Sequence, residues 1–202
     1  MAKVFTLCVS LVMIFSIHAQ GEAYEPDQIT TINQLIRKKE YGLAEKMCLS
    51  EMRIHPGDNG IRLLYCHALI MHSKYTIADS VLRKVEEDDT AEAGVDWFRG
   101  LSSERQLQDS LAALYFKSYV RKTKNPLNVN VSAWLHIGSA YRRMMHEKGI
   151  TAEQLEDMIT NYKLYIEANP TDPYNGMLQE FTEAVKLRKP AFGERLIWDE
   201  KE

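Results

Sequence analysis

Cysteine is scarce in this chain: three in 202 residues. That excludes a small disulfide-dense scaffold, and no Cys-x-x-Cys pair is present for zinc or redox work. Glycine (10) and proline (6) are modest, so collagen-like and low-complexity classes are excluded too. There is no glycine-rich phosphate loop and no Gly-x-Ser-x-Gly elbow. The histidines beyond residue 20, His55, His67, His72, His136 and His146, are scattered. His67 and His72 lie five apart, not the four that shares a helical face, and His146-Glu147 lacks the second His of a zinc-protease helix. Glu86-Glu87-Asp88-Asp89 lacks the alternating oxygen ligands of a calcium loop and reads as a solvated acidic turn. These absences point away from an enzyme and imply no cofactor and no metal. Basic excess is missing as well. The net charge is −3, which does not suggest nucleic acid.

Long apolar runs are missing everywhere except at the start. Lys3 precedes an almost continuously apolar stretch from Val4 to Ile17, and Ala19 offers a small residue for cleavage. The run is about 14 residues, short of the ~20 a spanning helix needs. Residues 1–20 therefore read as a signal peptide, cut at Ala19-Gln20 or Gln20-Gly21; retention as an N-terminal anchor is the alternative. Cys8, with Thr6-Leu7 before it, does not suit lipid attachment. Removing the leader leaves 24 basic against 28 acidic residues, a charge of −4. The expected product is exported, without a membrane span, and periplasmic or at a cell surface. Residues 21–189 form the folded domain and 190–202 a tail.

What is present is helical periodicity. Few runs alternate with period two, so almost no sheet is expected. Ile29, Ile32, Leu35 and Ile36 make one face of a first helix that Pro26 can open. Tyr41 to Ile54 forms a second, ended by His55-Pro56-Gly57-Asp58. Ile61 to Met71 and Tyr75 to Val85 form the next pair. A third pair begins near Ala93 and continues in Leu111 to Val120; Lys122 to Asn130, with Asn125-Pro126, is a turn. The fourth pair runs from Ser132 to Pro170, with Thr151 and Gln154 as a capping box inside it. Pro173 to Lys189 carries one more helix. The tail then holds Phe192, Leu196, Ile197 and Trp198, four large apolar residues that either fold back as a lid or dock on a partner.

Within the fourth pair, Trp134-x₂-Ile137-Gly138-x₂-Tyr141, closed by Asn169-Pro170, resembles the opening and end of a tetratricopeptide repeat. Tyr41 and Ala44 return as Tyr75 and Ala78, a spacing equal to that family's period. The family pattern places its proline about 21 positions after the tyrosine, whereas Pro170 follows Tyr141 by 29; the excess falls around Met145 to Thr151. The resemblance implies an all-α fold: antiparallel helix pairs in a right-handed superhelical solenoid, about four pairs plus a C-terminal capping helix. It also implies a concave groove lined by the first helix of each pair, which receives a peptide or a partner's helix.

Carried onto this sequence, the groove positions are Leu63, Leu64, His67 and Met71 in the second pair. The third offers Trp97, Phe98 and Leu101, and the fourth Leu135, His136, Ser139, Arg142 and Arg143. Trp97 and Phe98 suit contact anchors, and Arg142 and Arg143 could hold a carboxylate or phosphate; the competing assignment makes them core and solvating residues. Of the family's carboxylate clamp Asn33 alone matches, so no clamp is inferred. In this family Cys48 and Cys66 fall on helices that pack together, so they either bond, closing a loop of about 17 residues, or stay as small buried hydrophobes. The functional expectation is a non-enzymatic exported scaffold that binds a protein or peptide partner. Two alternatives remain: a structural subunit that assembles through its outer face and tail, or an enzyme with an unrecognised helical active site.

Overall fold

The computed structural model describes residues 26–123 and 129–198. The leader, the Asn125-Pro126 turn and the charged finish at 199–202 lie outside them. The described chain is all-helical: α1 Pro26–Arg37, α2 Tyr41–Ile54, α3 Asn59–Met71, α4 Tyr75–Asp88, α5 Ala93–Arg105, α6 Asp109–Lys122, α7 Ser132–Glu147, α8 Ala152–Ala168 and α9 Asn175–Lys186. Each helix packs on the next, and α3 also packs against α1 and α5. None is long and apolar enough to cross a membrane.

The first three pairs repeat with one fixed period. Helices α2, α4 and α6 start at 41, 75 and 109 and end at 54, 88 and 122; α1, α3 and α5 end at 37, 71 and 105. The turns between paired helices repeat with them. Lys39, Ser73 and Leu107 all adopt left-handed φ, at 63°, 62° and 58°. Around each, the N–H of the next residue reaches back five positions: Glu40 to Leu35 O, Lys74 to Leu69 O and Gln108 to Ser103 O, at 2.9, 2.8 and 2.9 Å. The left-handed residue itself donates to Ile36, Ile70 or Glu104. Each first helix thus ends in a Schellman turn that satisfies two orphan carbonyls and folds the chain back within three residues.

The core follows the same register. Ala44, Ala78 and Ala112 are each fully buried where a small residue lets the paired helices close. Cys48, Leu82 and Phe116, four residues further along, are equally covered. On the first helices Ile32, Cys66 and Gly100 recur in the same register, 34 residues apart. A Cβ on Gly100 would fall 2.8 Å from the Phe116 ring, so glycine at this position makes room for the aromatic. Burying such a ring contributes about 1.5–3 kcal/mol. Gly138 and Tyr162 repeat this arrangement in the fourth pair.

Other ends have their own causes. Asp58 caps α3 by accepting from the Ile61 N–H at 3.1 Å, and Thr151 with Gln154 forms the expected capping box on α8. The acidic run 86–89 is not a turn: α4 continues through Asp88. Neighbouring arginines hold it there, since Glu86 takes both guanidinium nitrogens of Arg99 and Asp88 pairs with Arg62.

The tail folds back on α7 and α9. Ile150 and Leu196 exchange both backbone hydrogen bonds, at 3.0 and 2.8 Å. The Trp198 carbonyl meets His146 Nδ1 at 2.7 Å, and its ring lies between Phe181 and the Arg188 guanidinium. Leu196 and Trp198 are thereby half-buried, whereas Phe192 and Ile197 stay in solvent.

Candidate partner-binding face

The side chains assigned to the groove divide into three groups. Leu63, Trp97 and Phe98 are core residues at 3, 4 and 1% exposure, so they are not open anchors. Leu63 packs against the backbone of Gly94, where a Cβ would lie 2.6 Å from its Cδ1. Trp97 is enclosed edge-on by Phe116, Tyr119 and His136, with ring centroids 5.2–5.7 Å apart. The cause is a change of step. Gly138 stands four positions beyond where the repeat of Gly100 would place it, and α6 and α7 close over the Trp97 side of α5.

The second group is polar and already engaged. Arg143 donates from Nε to Asp109 at 2.7 Å and from Nη2 to Glu104 at 2.9 Å. Glu104 also meets His136 Nδ1 at 2.8 Å, and the His136 ring stacks on Phe116 at 4.8 Å. Burial acts to raise the Glu104 carboxyl, but His136 and Arg143 together hold it below the ordinary carboxylate range. This Asp109–Arg143–Glu104–His136 chain ties the third pair to the fourth. Arg142 lies 4.2 Å over the Phe181 ring, and the buried Tyr162 hydroxyl is held above its ordinary range by loss of hydration. Neither arginine is a ready receptor for an external anion, because each is committed inside the molecule.

The third group remains partly open: Leu64, His67, Met71, Leu101 and Leu135. His67 packs on Phe98 with centroids 5.6 Å apart. Loss of hydration, with the nearby Arg105 charge, pushes its pKa down to about 4, so the ring is neutral at physiological pH. Met71 accepts a contact from Arg105 at 3.1 Å. These residues, on α3, α5 and α7, each keep part of the side chain exposed.

Cys48 and Cys66 sit on packed helices, α2 and α3, as buried free thiols. The Cys66 Sγ donates to the Ala78 carbonyl at 3.6 Å, and burial pushes the Cys48 thiol up to about 12. Among the described residues no group of three His, Cys, Asp or Glu side chains is placed to hold a metal. On the other side, a cleft of about 310 Å³ opens between α4, α5 and α6, with Tyr75, Asp79, Arg99 and Tyr115 in its walls.

Sequence reasoning passed over Glu104 and Asp109. Asp109 opens α6 and Arg143 lies in the last half of α7, a meeting that no local pattern in the sequence announces. No protein-family model matches this chain, and no curated protein is similar to it.

Proposed function

We propose that this chain is an exported, non-enzymatic adaptor of the tetratricopeptide type. Its stacked pairs wind as a right-handed superhelix and hold a peptide or a partner's helix along the first helices. The observation that carries the reading is the recurrence, one repeat length apart, of helix ends, left-handed turn residues and buried alanines. A second observation supports the position of the groove. First helices pack side by side, α3 against α1 and α5, while among the described residues no comparable packing joins α2 to α4 or α4 to α6. A stack closed on one side and open on the other curves toward the closed side.

Leu64, His67, Met71, Leu101 and Leu135 are the contact residues on this reading, a mixed surface that a partner's apolar side chains could cover. Export rests on the sequence of residues 1–20, and a bacterial envelope is the compartment proposed. The test is site-specific photo-crosslinking in envelope extract. A photoreactive residue at position 67, 101 or 135 should capture the same partner, while positions 43 and 77 on the second helices should not. Crosslinks confined to positions 43 and 77 would overturn the groove reading.

A further inference from the structure

The stripe of groove positions on α7 continues past Arg142. Leu135, Ser139, Arg142 and His146 recur at spacings of four, three and four, so His146 stands on the same face of the helix. That end of the face is occupied by the chain's own strap. Leu196 pairs antiparallel with Ile150, and the strap then runs back along α7. The Trp198 N–H reaches the Met145 carbonyl at 3.4 Å, and the Trp198 carbonyl meets His146 Nδ1. Side chains alternate as in a strand: Leu196 and Trp198 pack on the core, while Ile197 between them is 65% exposed. The floor beneath is apolar. Met145 and Ile150 are fully buried, and the Trp198 ring meets Phe181 edge-on, with Arg142 over that same ring.

We propose that this end of the groove is a binding site for an extended peptide with a large apolar side chain and, two positions later, an aromatic one, and that the strap is its built-in occupant. The contacts are those of a bound peptide. Backbone bonds to Ile150 and Met145 hold the segment in register, and the two inward side chains supply selection. No side chain from 191 to 198 is fully buried, so the strap can lift away while the helices stay packed. A partner's segment of the same pattern takes its place, against a competitor tethered at about millimolar effective concentration. The inference rests on the groove reading and adds to it the conformation and side-chain pattern of the ligand at one end.

A fluorescent peptide of residues 190–202, followed by anisotropy, is the probe. The full mature chain carrying L196A/W198A, whose strap has lost both anchors, should bind it with a Kd at or below about 0.1 mM. Wild type should bind at least about tenfold more weakly, because its own strap is in place. A second arm avoids any folding defect of the variant. A wild-type chain with a protease site at the exposed Phe192 folds with its strap on; once it is cut and the released segment removed, binding should rise to the level of the variant. Within the peptide, I197A should bind like the parent and L196A/W198A should not bind. The proposal is overturned by a peptide that binds neither the variant nor the cut chain, or that binds wild type and variant equally. Binding that survives L196A/W198A in the peptide overturns it too. Partner capture at positions 67, 101 and 135 reports separately: its failure with peptide exchange intact removes the groove reading and leaves the strap site standing.

Discussion

Gly138 faces the ring of Tyr162 so closely that a Cβ would lie 2.6 Å from the ring carbon Cε1. Gly100 stands in the same relation to Phe116 at 2.8 Å. Both rings are buried and have nowhere to move. Gly138→Ala and Gly100→Ala should each destabilise by about 1–2 kcal/mol, because overpacking exceeds the helix-propensity gain of alanine. Gly42, in a helix with open space around it, gives the contrast: Gly42→Ala should stabilise by about 0.5–1 kcal/mol. Urea unfolding of the three variants reads the opposite signs.

The three left-handed turn residues are all non-glycine, and each carries the steric cost of its side chain at positive φ. Ser73→Gly should raise stability by about 0.5–1 kcal/mol, the relieved strain outweighing the added freedom of the unfolded chain. Ser73→Val should lower it, since a β-branched side chain fits that region worst. Equal melting temperatures for the two variants would contradict the Schellman assignment.

Acid should unfold the protein in two stages. His67 is neutral when folded, with pKa pushed down to about 4, so the unfolded chain binds the extra proton first. Its contribution is complete above about pH 6.5 and is lost as pH falls toward 4, a change of about 3 kcal/mol. Burial, the largest single influence on the Glu45 carboxyl, acts to raise it. Lys74 and His72 together outweigh that and leave it lowered, as His136 and Arg143 do for Glu104. Those contributions are present above about pH 4.3 and vanish as pH drops through the lower folded values. His67→Gln should flatten only the upper stage and Glu104→Gln only the lower, measured by urea midpoints at stepped pH.

Gly149 fastens the strap. Its φ is 75°, and a Cβ there would meet Ile197 Cγ1 at 2.9 Å and Arg195 Cβ at 3.0 Å. Gly149→Ala should push residues 195–198 off α7, at a cost of about 1–3 kcal/mol. Trypsin cleavage at Arg195 and Arg188 should then become fast in the native protein. Unchanged proteolysis would mean the strap is held elsewhere.

Much of the helix order was legible in the sequence, and the reasons are local. Pro56-Gly57-Asp58, Thr151 with Gln154, and the Tyr41/Tyr75 echo are signals that act within a few residues. The C-terminal part of α4 was missed because its acidic run looks like a turn until Arg99 and Arg62 are seen to neutralise it. For Trp97 and Phe98 the sequence leaves groove and core both open, for a longer-range reason. A repeat pattern gives the register of a helix, but what covers its face depends on the step to the next pair. Here that step overshoots the repeat by four positions, and no residue in α5 announces it. The commitment of Arg142 to Phe181 is likewise invisible until α9 is positioned.

The apolar interior comes in two pieces. Ile32, Ile36, Ala44, Cys48, Ile61 and Ala68 form a cluster of their own, apart from the large one that runs from the other side of α3 through to α9. The ion pairs at its boundary, Glu45 with His72 and Lys74 and Arg62 with Asp88, each have one partner well exposed. Backbone amides of α1 and α2 should therefore trade hydrogen for deuterium through a sub-global opening, sooner than those of α5 to α8, which wait for the whole molecule to unfold.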